Sequence, residues 1–137
     1  MSQANVEIVR RAIALLSESY VRGEASDGLL DLCAPDIPVD ASRRVFNPDL
    51  YEGHSGIRRL IREVWDAWEE FSEQTERLLD AGDRVVSIQV IRGRGRASKA
   101  QVQADGALIW TLRNRRVVGV EVFFDRREAL NAVGHAA

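Results

Sequence analysis

The chain has 137 residues, 45% hydrophobic and 29% charged, which is the make-up of one globular domain with a core of its own. Its 19 basic and 21 acidic residues leave a net charge of −2, so no bulk field draws it to nucleic acid or an anionic membrane. A single cysteine, Cys33, excludes an intrachain disulfide, the start lacks a signal-peptide pattern, and no apolar run nears the ~20 residues of a spanning helix. A cytoplasmic single domain, 1–137, is expected.

Helical spacing of Val6, Val9, Ile13, Leu16 and Tyr20 predicts a first helix from Ala4 to Arg22, ended by Gly23. A short second helix starts at Ser26–Asp27, buries Leu29, Leu30, Leu32 and Cys33, and stops at Pro35. Asp36 to Ser42 reads as a brief strand, and Arg43 to Glu52, holding Asn47-Pro48-Asp49, as the longest irregular stretch. The third helix, Ser55 to Glu70, carries Ile57, Leu60, Ile61, Val64, Trp65 and Trp68 on one side and charges on the other. The period then changes to two, predicting strands over Ser72–Asp80, Arg84–Ala97, Gln101–Arg113 and Arg116–Phe124. A last short helix starts at the Asp125-Arg126-Arg127-Glu128 capping box and stops at Gly134. Helices first and a strand meander second argue α+β, with helices on one sheet face. The opposite face bears Val86, Ile88, Val90, Ile109 and Phe123, and three helices cannot also cover it. A second copy of the chain is the simplest cover, so a homodimer is expected.

The element order resembles the nuclear-transport-factor-2-like superfamily, and more narrowly its SnoaL-like, ketosteroid-isomerase-like proteins of actinobacterial type. The residues that carry the resemblance are Tyr51-Glu52-Gly53-His54-Ser55-Gly56-Ile57, Asp80-Ala81-Gly82-Asp83-Arg84-Val85-Val86, Arg92-Gly93-Arg94-Gly95-Arg96, Trp110-Thr111-Leu112-Arg113 and Phe124-Asp125-Arg126-Arg127-Glu128-Ala129-Leu130. It implies a cone: a curved antiparallel and mixed sheet wrapped around the N-terminal helices (a cystatin-like α+β barrel), open at one end. Gly93 and Gly95 would let that sheet bend.

The superfamily's reactive residues do not carry over. The isomerase base position falls on Ala41, its donor acid on Leu108 and its first-helix tyrosine near Ser17. The epoxide-hydrolase positions fall on Gln89, Ile91 and Val122, with Val39 and Ala41 as helpers, and only Gln89 is polar. The His and Asp of polyketide cyclases are absent from the matching positions. Asp40 should face away from Ala41, and a one-residue slip of its strand would turn it inward as a base.

Tyr20, Tyr51, Trp65, Trp68, Leu108, Trp110, Val122 and Phe124 are expected to line the pocket, with Gln89 as its main polar contact. The alternative is that the aromatic residues only close the core. His54 reads as a capping or exposed residue and His135 lies in the tail. With one cysteine and no ligand spacing, no metal and no cofactor are expected. Arg92, Arg94, Arg96 and Lys99 lack interleaved aromatic residues and read as a charge ladder rather than a nucleic-acid surface. Two readings stand. In one, the chain binds a small, mostly apolar, polyketide- or terpenoid-like molecule without the usual catalytic residues. In the other, it is an acid–base isomerase, cyclase or dehydratase with Asp40 as base and Tyr20 or Tyr51 as donor.

Overall fold

The computed structural model describes residues 3–44 and 48–134. Two helices, α1 (Gln3–Arg22) and α2 (Asp27–Leu32), precede two short strands, β1 (Pro38–Ala41) and β2 (Asp49–Glu52), and helix α3 (Gly53–Ala67) follows them. Four longer strands follow, β3 (Trp68–Ala81), β4 (Arg84–Gly95), β5 (Gln101–Arg113) and β6 (Arg116–Phe123), and then helix α4 (Arg126–Ala132). The six strands form one curved, unclosed sheet in the order β2-β1-β6-β5-β4-β3. Only β1 and β6 run parallel, so the sheet is mixed.

Local chemistry places the boundaries. Ser26 caps α2 by accepting from the Leu29 amide, and Asp125 caps α4 by accepting from the amides of Arg127 and Glu128. Gly23 ends α1 at φ 77°, a left-handed position. A side chain there would also strike the Trp65 ring, which a Cβ would approach to 2.6 Å. Asn114 and Arg115, at φ 52° and 65°, make the β5–β6 turn without the glycine that such geometry favours.

Three expectations are corrected. The stretch from Arg43 to Glu52 is not all irregular: Asp49–Glu52 forms β2, which pairs antiparallel with β1 through Val39–Tyr51 and Asp40–Leu50. The third helix stops at Ala67, and Trp68 opens β3 instead of sharing a helix face with Trp65. Arg96 fixes that switch by donating to the carbonyls of Trp65 and Trp68, at 2.7 and 3.0 Å.

The third correction concerns the second apolar face. Val86, Ile88, Val90, Ile109 and Phe123 are all buried within a single copy, none above 7% exposed. Most of them pack with Ala129, Leu130 and Val133 of the C-terminal turns and with Leu79. Arg43 lies 4.0 Å above the Phe123 ring and seals its edge. The capping-box helix is thus the cover that the sheet needs, and a second copy is not required for it. The main core lies on the concave side, where α1, α2 and α3 meet Val39, Val85, Leu108, Trp110 and Val117.

Candidate functional site

The concave face divides into a closed end and an open end by side-chain size. Register places Phe71, Glu73, Thr75 and Leu78 of β3 beside Gly93, Ile91, Gln89 and Ser87 of β4. These in turn face Val102, Ala104, Gly106 and Leu108 of β5. At the closed end Leu108 and Trp110 fill the space, and the indole nitrogen of Trp110 donates to Ser87 Oγ at 2.9 Å. Toward the open end Gly93 and Ala104 are small, while the space over Gly106 is taken by Ile91. A cavity of about 710 Å³ opens there, lined by Tyr20, Trp65, Trp68, Phe71, Gly93 and Val102 among others. The Trp68 ring uses the missing side chain of Gly93, where a Cβ would come within 2.8 Å of it. Tyr20 meets Phe71 edge to face with centroids 5.0 Å apart, and Trp68 meets Phe71 at 5.9 Å.

One inward position further along β3 from Phe71 sits a carboxyl. Glu73 holds the inward position between Phe71, which lines the cavity, and Thr75. Burial alone pushes its carboxyl up to about 7, with no hydrogen bond or ion pair to another described residue to hold the charged form. The neighbouring phenol of Tyr20 is pushed well above its ordinary value, first by burial and then by the charge of Glu73. Tyr20 therefore stays protonated and keeps its hydroxyl hydrogen available to donate. Gln89, 1% exposed, points into the same space, and its Oε1 has no protein partner. The bond to Tyr20 that would have made it a plain structural amide is not formed.

A second polar group closes the cone near β2. The Tyr51 hydroxyl donates to Glu63 Oε1 at 2.6 Å and accepts from Arg44. The Arg59 guanidinium lies 4.2 Å over the Tyr51 ring and pairs with Asp49 at 2.8 Å and Glu63 at 3.0 Å. With both its donor and its acceptor engaged and the residue 0% exposed, Tyr51 ties β2 to α3 and has no hydrogen left for a ligand.

The remaining candidates separate cleanly. Asp40 is not inside: its neighbours Val39 and Ala41 are buried, while Asp40 pairs outward beside Glu121. Its carboxylate accepts from the Ser42 hydroxyl at 2.6 Å and the Ser42 amide at 3.0 Å, with Arg43 at 3.7 Å. Those contacts, the Ser42 hydroxyl foremost, hold it below the usual carboxylate range, the opposite of what a base near neutrality needs. The slip that would have turned it inward does not occur. Trp65, 36% exposed, and Trp68 line the mouth, whereas Leu108, Trp110 and Val122 belong to the packed core. Phe124 is 40% exposed beyond the end of β6 and outside the cavity.

His54 places Nε2 3.0 Å from the Cys33 carbonyl and joins the start of α3 to the end of α2. His135 lies outside the described residues, as does Asn47. The charge ladder is locally satisfied: Arg94 pairs with Glu69 and Glu70, Lys99 with Glu69, and Arg92 with Gln74 and Gln103. Among the described residues no three His, Cys, Asp or Glu side chains gather as a metal site, and no helix is long and apolar enough to cross a membrane.

Glu73 is the residue that sequence reasoning missed. The signal was present in Phe71-x-Glu73-x-Thr75, an alternation that starts before Ser72, where the strand was expected to begin.

A helix-filled cone with a partly polar, aromatic-mouthed cavity defines a nuclear-transport-factor-2-like protein with room for a small molecule. The SnoaL-like domain model matches residues 9–120, and the chain belongs to that family. No curated protein matches the chain. Among solved structures, an NTF2-like protein from Burkholderia xenovorans is similar with a TM-score of 0.77 at 21% identity, covering 98% of both chains. A protein with a ketosteroid isomerase-like fold from Catenulispora acidiphila, solved in complex with trimethylamine, has a TM-score of 0.70 at 16% identity, covering 94% of this chain and 93% of that one. TerC, co-crystallised with polyporic acid, has a TM-score of 0.72 at 18% identity, covering 95% and 98%.

Proposed function

We propose that this chain takes a small, mostly apolar organic molecule into the open end of the cone and moves a proton on it with Glu73. The observation that carries the reading is a largely buried carboxyl without a protein partner, on the strand face of Phe71 at the aromatic mouth and within electrostatic reach of Tyr20. A group with a pKa near 7 is populated in both protonation states near neutrality, which suits a general acid–base. The role that the sequence offered to Asp40 passes to Glu73, and Tyr20 supplies the donor. Facing a carbonyl compound, the Glu73 carboxylate would take a proton from the carbon next to the carbonyl. The C–H electron pair would move toward the oxygen, which Tyr20 would stabilise by hydrogen bonding. Return of the proton at another carbon completes an isomerisation, and loss of a leaving group makes the outcome a dehydration or cyclisation. Relatives solved with trimethylamine and with polyporic acid support a cone that admits small organic molecules.

Soft-ionisation mass spectrometry of the purified protein identifies a retained molecule, and tryptophan emission then follows its binding. Trp68, less exposed than Trp65 and packed on Phe71, should change most. Glu73→Gln should still bind the molecule but lose turnover by at least a hundredfold. A Glu73→Gln variant that turns over at the wild-type rate sinks the acid–base reading. Ligands that bind tightly with both indoles unaffected would put the site elsewhere.

The reading extends to the cytoplasm as the setting, in keeping with an unbridged, buried Cys33. A homodimer remains part of this reading, through surface other than the face that α4 covers. Sedimentation at micromolar concentration reads it, and a single monomeric species overturns it.

A further inference from the structure

The inward row of β3 and β4 holds two polar atoms that the proton transfer above does not use. Thr75 and Gln89 are direct cross-strand partners, and both Thr75 Oγ1 and Gln89 Oε1 are buried with no protein partner. Gln89 cannot turn its amide to bulk solvent, being 1% exposed. Leaving such groups unmet destabilises the fold, so each calls for a partner. The Thr75 hydroxyl can donate to a water, which gives one hydrogen to Gln89 Oε1 and keeps the other for a neighbouring carboxylate.

Thr75 also lines a second cavity, of about 270 Å³, between α1 and the edge strand β3, together with Val6, Arg10, Ile13, Arg77 and Leu78. It lies where the β3 register shifts between Thr75 and Arg77. None of the residues lining this side opening lines the aromatic mouth. Glu73 lies between the two, two residues from Phe71 at the mouth and two from Thr75 at the side.

We propose that Thr75 and Gln89 hold an ordered water beside Glu73, fed from the side cavity, and that this water carries the proton of Glu73 to and from solvent while a ligand fills the mouth. In the inward direction an O–H bond forms on a Glu73 carboxylate oxygen as the held water gives up a proton. That water regains one from the next water in the side cavity. Every water on the route gains one proton and loses one, so the net change is one proton moved from solvent hydronium to the carboxylate. Release runs in reverse. The proposal rests on Glu73 as the proton-carrying group, and Thr75 and Gln89 act as positioning residues.

The test pairs crystal structures of the wild type, Thr75→Val and Thr75→Ser with infrared spectra of the Glu73 carboxyl band, assigned by its disappearance in Glu73→Gln. Valine keeps the shape and strand preference of threonine, and melting curves check that both variants fold. In the wild type and Thr75→Ser, a water should lie within hydrogen-bond distance of the residue-75 hydroxyl and Gln89 Oε1. In Thr75→Val it should be lost, and hydrogen–deuterium exchange of the Glu73 carboxyl should slow at least tenfold, with Thr75→Ser near the wild-type rate. A wild type without that water, or a Thr75→Val protein that exchanges at the wild-type rate, overturns the proposal. A Glu73 band that titrates at the ordinary 4.5 overturns the acid–base reading instead, while the water site still stands or falls on the crystal structures.

Discussion

Replacing Glu73 by Gln should stabilise the protein at pH 8 by about 3 kcal/mol and leave its stability at pH 4 nearly unchanged. The sign follows from the direction of the shift. Burial raises the carboxyl from 4.5 to about 7, so between those values the folded chain holds a proton that the unfolded chain has released. Stability is therefore full below about 4.5, falls as pH rises through the window to about 7, and stays low above it. Glutamine resembles the protonated acid and carries no such dependence. Urea unfolding of both proteins from pH 4 to 8 isolates the effect, because every other titrating group is shared. A difference between them that does not change with pH would place Glu73 in an ordinary, solvated setting.

Ile88→Glu should destabilise the fold by on the order of 4 kcal/mol or more, at any protein concentration. Ile88 is 4% exposed within one copy, beneath the C-terminal turns, so a charge there loses its water among Val86, Ile109, Phe123 and the residues of α4, with Arg77 of the neighbouring strand the nearest cation across the ladder. Val102→Glu is the control, on the same sheet but 44% exposed, and should cost little. Thermal unfolding combined with sedimentation separates this account from the one drawn from sequence. A well-folded Ile88→Glu monomer with the wild-type melting temperature would mean that the face is buried by a partner copy and not by α4.

The elements with strong periodicity were legible before the structure. The β5 bounds, the caps at Ser26 and Asp125, and the outward turn of Asp40 relative to Ala41 follow from local chemistry and alternation. Two kinds of feature were not legible. Asp49–Glu52 is a strand only because β1 lies beside it, and four residues bounded by Pro48 give no periodic signal of their own. The burial of the convex face depends on where a seven-residue helix folds back, which its own sequence does not specify. The site was half legible: Tyr20, Trp65, Trp68 and Gln89 were singled out by type and spacing, and all lie at or just behind the mouth. Glu73 was hidden among Glu69, Glu70 and Glu76, which look alike in sequence. What separates it is its setting: Glu69 and Glu70 lie on the rim of the mouth paired with Arg94 and Lys99, and Glu76 pairs with Arg126, while Glu73 is buried without such a partner. Tyr51 shows the converse: a tyrosine of the right type is spent on Glu63 and Arg44.

The central claim is that the cone encloses a carboxyl able to trade a proton near neutral pH. Carbon-13 NMR of the glutamate side chains, with the Glu73 signal assigned by its absence from Glu73→Gln, measures this without knowledge of the ligand. The account predicts a Glu73 midpoint of about 7, well above the ordinary carboxyl value of 4.5. A Glu73 signal with its midpoint at the ordinary 4.5 would contradict it.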